Sequence, residues 1–177
     1  MPNRHGGQQR PWQNGPNTRP SRRPGIEERL RSQDKVQYFT VGNDTQDGDK
    51  TRRPIRPDLL DDEAERVAKL MQDIPASQLR RFFGTVMDLK RRLEADPELR
   101  QKPEFIQAEL AFLKASAAYT AKRLNYHRNE RWQGDPLELV SFMTRHRNSV
   151  KSADDFEAFA KHFEAVMAFH KVYGRER

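Results

Sequence analysis

The sequence predicts an all-α protein, a compact bundle of about five helices preceded by a long disordered N-terminal tail. Three observations lead there. After residue 57, apolar residues recur every three to four positions through five separate stretches, and none alternates with the period of a strand. Before that point proline and glycine concentrate: residues 1–57 hold seven of the 11 prolines and six of the 9 glycines, which break regular structure. Mean hydropathy is −1.05, too polar for the whole chain to enter a core. The predicted division is therefore 1–57, a basic Pro- and Gly-rich tail, and 58–177, a helical domain.

Within the tail, HGGQQRPWQNGPNTRPSRRPG has no apolar period and too little to bury. Residues 26–41 are an exception. Ile26, Leu30, Val36, Tyr38, Phe39 and Val41 suffice for a short helix or strand docking on the domain or on a partner. The GNDTQDGDK that follows reads as loop.

The first helix is predicted over 58–73. Leu59, Leu60, Val67, Leu70 and Met71 form its inner side. Asp58, Asp61, Asp62 and Glu63 crowd its first turns, where the helix dipole favours negative charge. They read as solvated acids and not as a metal site, since no histidine or second acid cluster is within local reach.

The second helix, 77–93, organises the rest. Ser77 reads as its N-cap, and Pro75 blocks continuation from upstream. Leu79, Phe82, Phe83, Val86, Leu89 and Leu93 make one apolar face. Arg80, Arg81, Lys90, Arg91 and Arg92 lie off it, so a side away from the core is cationic.

EADPELRQKPE holds two prolines and reads as a connection. The third helix, 103–126, starts on Pro103, which suits a first turn. Its stripe is Ile106, Leu110, Leu113, Ala117 and Leu124, broadened by Phe105, Phe112 and Tyr119. Tyr119, set among alanines, is assigned to the core. The C-terminal part carries Lys122, Arg123, Arg128 and Arg131 with Tyr119, Tyr126 and His127 between them, aromatics of a kind that can stack on bases. Favourable interaction with the helix end accounts for one or two cations. Four with interleaved aromatics point to a phosphate-contacting surface.

Gly134, Asp135 and Pro136 mark a break. The fourth helix follows over 136–150 with Asp135 as N-cap, an apolar side of Leu137, Val140, Met143 and Val150, and the cationic Arg145, His146 and Arg147 near its end. The fifth, 153–173, has a broad face of Phe156, Phe159, Phe163, Val166, Met167 and Phe169, with Gly174 as terminator. His162 and His170 sit two turns apart, too far to share a metal on one helix, and read as packing or surface residues.

A net charge of +7 points to a polyanionic partner. The charge is unequally spread. The tail has 12 Lys and Arg against 6 Asp and Glu; residues 58–177 have 21 against 20. The domain would therefore bind a polyanion through a patch and not through its mean field. With no cysteine there is no disulfide, thiolate nucleophile or cysteine-ligated metal. No apolar run is long enough to span a membrane and no signal peptide is evident, so a cytoplasmic protein without membrane contact is expected. No phosphate-binding glycine loop, zinc-protease or serine-hydrolase motif occurs. No enzyme activity, cofactor or metal is expected. His127 and His146, each beside arginines, are the pair that could act as acid and base in RNA cleavage. A binding module fits the pattern better.

Three segments, IPASQLRRFFGTVMDL, KASAAYTAKR and FEAFAKHFEAVMAFHKVYG, resemble the small subunit of type III-A CRISPR (Csm) effector complexes. The resemblance covers about residues 58–174. Its most specific parts are Ser77-Gln78-Leu79-Arg80, Phe163-Glu164-Ala165 and Ala168-Phe169-His170-Lys171. It implies a non-catalytic helical bundle, several copies of which stack in a ribonucleoprotein that serves antiviral defence. Copies would touch one another, the backbone repeat subunit and the large polymerase-like subunit. Their basic faces would line the groove that holds guide RNA and target RNA. Carried over by position, Arg80, Lys122 and Arg123 would contact the target-RNA backbone. The charge pattern adds Arg81, Arg91 and Arg128. The alternatives are a free-standing, sequence-independent RNA- or DNA-binding protein and a helical adaptor for an acidic protein.

Overall fold

A computed structural model describes residues 23–40, 54–127 and 131–174. Much of the predicted tail lies outside these residues. The described residues form eight helices: α1 (Ile26–Arg31), α2 (Pro57–Leu60), α3 (Asp62–Leu70), α4 (Ala76–Ala95), α5 (Pro97–Arg100), α6 (Pro103–Tyr126), α7 (Glu138–Ser149) and α8 (Ala153–Tyr173). Among them there is no strand, only a single antiparallel bridge between Phe39 and Ile55. The all-α expectation holds.

α8 is the axis of the bundle. Phe156, Phe159, Phe163 and Val166 are fully buried along it, each phenylalanine contributing roughly 1.5–3 kcal/mol by leaving water. α3 and α4 pack on this helix, and α7 packs on α6. α8 begins with a capping box: Ser152 Oγ accepts from the Asp155 amide at 3.1 Å, and Asp155 accepts from the Ser152 amide at 3.1 Å. Leu79, Phe82, Val86, Leu89 and Leu93 form the buried face of α4, as their spacing predicts. Phe83, half-buried, meets the ring of Phe163 edge-on at 5.6 Å.

Four details differ from the sequence reading. The predicted first helix is two, α2 and α3, broken at Asp61, whose backbone (φ −115°, ψ −94°) is not helical. Ser77 is not a cap. α4 starts at Ala76 with Pro75 in the N-cap position and no side-chain cap, because the fixed ring of Pro75 already turns the chain. The connection after α4 contains one helical turn, α5, whose N-cap Asp96 accepts from the amides of Glu98 and Leu99. Finally, α7 starts at Glu138 behind Leu137. Asp135 accepts from the Leu137 amide at 3.1 Å, but its other oxygen is taken by a buried arginine.

That arginine belongs to a strap that the sequence marks only weakly. α1 and the extended residues after it cross α7 from start to end. Arg29 is buried. It pairs with Asp135 at 2.6 Å and Glu138 at 3.4 Å, and donates to Ser141 at 2.9 Å. Further along, the Val36 amide donates to Ser149 Oγ at 2.6 Å and Asn148 donates to the Ser32 carbonyl at 2.8 Å. Tyr38 enters the core beside His146. α7 is consequently enclosed on nearly all sides. This explains why Leu139, Phe142, Thr144 and His146 are buried as well as the predicted Val140 and Met143.

The α6–α7 turn is clamped onto the end of α3. Asp73 accepts from the amides of Gln133 at 2.8 Å and Gly134 at 2.7 Å, and the Asp135 amide donates to the Leu70 carbonyl at 2.7 Å. A Cβ on Gly134 would sit 2.7 Å from that carbonyl oxygen, so the close approach requires glycine.

Candidate nucleic-acid interface

α4 and α6 run antiparallel. At one end they are joined: Arg92 pairs with Glu109 at 3.1 Å and lies over the Phe105 ring at 4.9 Å. Towards the other end a groove of about 470 Å³ opens between them. Gln78, Arg81, Phe82 and Thr85 recur on one face of α4, while Phe112, Leu113, Ser116, Tyr119, Thr120 and Arg123 recur on the facing side of α6. Phe82, Leu113 and Thr120 are buried and form the floor. Phe112 and Tyr119 are 67% and 71% exposed and form the rim.

The charge of this groove is single-signed. Arg81 and Arg123 line it, and among the described residues no carboxylate does. Among the described residues, neither arginine forms an ion pair, and neither do Arg80 and Lys122. A second concavity shows the usual situation. There Lys90, Arg100 and Lys161 share the wall with Glu94, Asp154, Asp155 and Glu157, and Arg100 is held by Asp154 at 2.7 Å and by Glu157. An unpaired guanidinium keeps its full attraction for an external anion, whereas one already matched to a carboxylate must first give that partner up.

The sequence-predicted site residues divide as follows. Arg81 and Arg123 are brought together. Lys122, exposed, is the neighbour of Arg123 on the outer side of α6. Arg80, also exposed, is turned to the other flank of α4, where its charge reaches the imidazole of His170 on α8. Arg91 is engaged by Asp88 one turn away. Arg128 falls outside the described residues. His127 and His146 are not brought together: His127 is exposed, while His146 is fully buried against Tyr38 and Phe142.

Tyr119 is the main correction. It is a surface residue, not a core one. Phe105, Phe112, Tyr119 and Tyr126 are seven apart, which places them on one line of α6, turned away from the buried stripe of Ile106, Leu110, Leu113 and Ala117. Arg92 covers Phe105 at the joined end; the other three are open. The seven-residue spacing is the clue that the sequence offers.

Three buried histidines lie on α8 or against it: His162 and His170 belong to the helix, and His146 packs on it from α7. Burial holds the imidazole of His146 well below its ordinary value, with His162 and Arg145 adding to the effect. His162 is lowered to about 4, chiefly by burial and against the pull of Glu63. Burial also lowers His170, although its Nε2 donates to the Met71 carbonyl at 3.2 Å. All three are neutral packing groups at pH 7.

Fold and site together define a small helical-bundle protein with an aromatic-rimmed cationic groove. The Csm2 Type III-A family model matches residues 55–176, more than half of the chain. The chain belongs to that family, the small subunit of type III-A CRISPR complexes. No curated protein and no solved structure matches it. No helix among the described residues is long and apolar enough to cross a membrane.

Proposed function

We propose that this chain is a non-catalytic subunit that grips the sugar-phosphate backbone of the guide–target RNA duplex through the α4–α6 groove. Several copies stack along a cytoplasmic complex, each touching its neighbours, the backbone repeat subunit and the large polymerase-like subunit. The observation that carries this reading is the convergence of Arg81 and Arg123 on one groove without an acidic neighbour among the described residues. A subunit that serves any guide must hold phosphates and not read base edges, and such a site is suited to that. Lys122, exposed beside Arg123 on α6, extends the cationic surface around it.

The test is the double variant Arg81→Ala/Arg123→Ala. RNA binding should fall while the helical circular-dichroism signal and the melting temperature stay close to wild type, because both side chains are exposed. Unchanged RNA binding overturns the assignment. Purification of a tagged copy separates the complex from a free-standing binder: guide RNA and larger subunits should come with it.

A further inference from the structure

Phosphate contact explains the arginines of the groove but not its apolar part. Large exposed apolar side chains on the described surface are Phe112, Tyr119, Tyr126 and Val172, and three of these four stand on one line of α6. Two of them, Phe112 and Tyr119, rim the very groove that Arg81 and Arg123 flank. A surface that met only backbone phosphates would gain nothing from leaving these rings in water, where their exposure is unfavourable. The ligand that matches an apolar slot with aromatic walls and two guanidinium groups at its edge is amphipathic: a flat π-faced ring joined to an anion. The groove volume, about 470 Å³, is that of a pocket for a group of this size.

From the juxtaposition of exposed Tyr119 and Phe112 with unpaired Arg81 and Arg123, we infer that the α4–α6 groove takes one unpaired nucleotide, its base stacked on Tyr119 and its phosphates held by the two arginines. This rests on the RNA-binding reading above and adds to it that one base leaves the duplex stack. Stacking is indifferent to base identity, since every base has a π-face, so the site remains independent of sequence. The hydroxyl of Tyr119 is not required; its ring is.

The experiment uses the full chain and two RNAs of equal length. One is an oligouridine single strand carrying a central 2-aminopurine, and the other is the same strand fully paired. Binding should quench the 2-aminopurine fluorescence of the single strand, and the single strand should bind at least about tenfold more tightly than the duplex, as expected for one stacked base. Tyr119→Phe should keep both effects. Tyr119→Ala should abolish the quenching and weaken single-strand binding about tenfold, leaving the salt dependence and the melting temperature unchanged. Arg81→Ala/Arg123→Ala should instead flatten the salt dependence for both RNAs. Equal affinity for single strand and duplex, with Tyr119→Ala neutral, overturns the stacked base and leaves the phosphate grip standing. Binding to neither RNA overturns both and leaves the groove to an acidic protein segment.

Discussion

Tyr38 Oη lies 2.7 Å from His146 Nδ1, with both side chains buried and their rings stacked at 5.6 Å. This bond ties the N-terminal strap to the last turn of α7. From there the polar interior continues to His162, whose ring is 5.1 Å from that of His146. Neither nitrogen of His162 has a hydrogen-bond partner among the described residues, and burial keeps the ring neutral.

These histidines make the fold acid-sensitive. Their native values are depressed below the ordinary 6.5, so the unfolded chain binds protons that the folded chain refuses. Stability is full above about pH 6.5 and is lost as pH falls towards the folded values. For His162, with a folded value of about 4, the loss between pH 7.5 and pH 5 is about 2 kcal/mol. Glu138 opposes this, because burial raises its carboxyl and protonating it favours the folded state. Denaturant midpoints at the two pH values should show the net fall, and His162→Phe should make it shallower. A midpoint independent of pH over this range would contradict the depressed values.

The strap is fixed at its other end by charge. Arg29→Ala leaves Asp135 without its 2.6 Å partner, while Glu138 keeps only Arg145 at 3.1 Å. An uncompensated buried carboxylate costs about 3–5 kcal/mol. A urea melt should register a loss of that order, whereas Arg31→Ala, on an 83% exposed side chain, should cost less than about 0.5 kcal/mol.

Phe163 sits where α4, α7 and α8 meet, with Phe83 at 5.6 Å and Phe142 at 5.2 Å. Phe163→Ala removes a fully buried ring and should destabilise the fold by about 3–5 kcal/mol. Chemical denaturation checks this directly.

Within the cationic surface, the arginines should not be equivalent. Arg91 is engaged by Asp88 and lies away from the groove. Arg91→Ala should change RNA affinity less than about twofold in a titration at moderate salt, since an exposed pair of this kind is worth little either way. Removing Arg81 and Arg123 together should lower the slope of log affinity against log salt, by about 0.7 for each phosphate of a single strand that is no longer neutralised.

Helix positions are largely legible in the sequence because five stretches carry a clean apolar period. α8 runs over 153–173 as its phenylalanines predict, and α6 over 103–126. What periodicity does not supply is context. Asp135 satisfies every local rule for an N-cap, and only tertiary packing shows that a strap arginine claims it. His146 reads as part of a cationic cluster with Arg145 and Arg147, yet it is the one of the three that points into the core. Arg80 and Arg81 are equally cationic in the sequence. Their neighbours on α6 and α8, which no single helix discloses, assign Arg81 to the groove and Arg80 to the opposite flank. Tyr119 misleads because its alanine neighbours suggest close packing, whereas the seven-residue line through Phe112 marks the outer edge of α6.

The strap has a practical corollary for anyone trimming this chain. Family similarity begins at residue 55, yet Arg29 and Tyr38, upstream of it, are buried residues. A fragment cut at the similarity boundary would uncover one flank of α7, wetting His146 and orphaning Asp135, and would be an unsound specimen on which to judge whether the subunit folds or assembles.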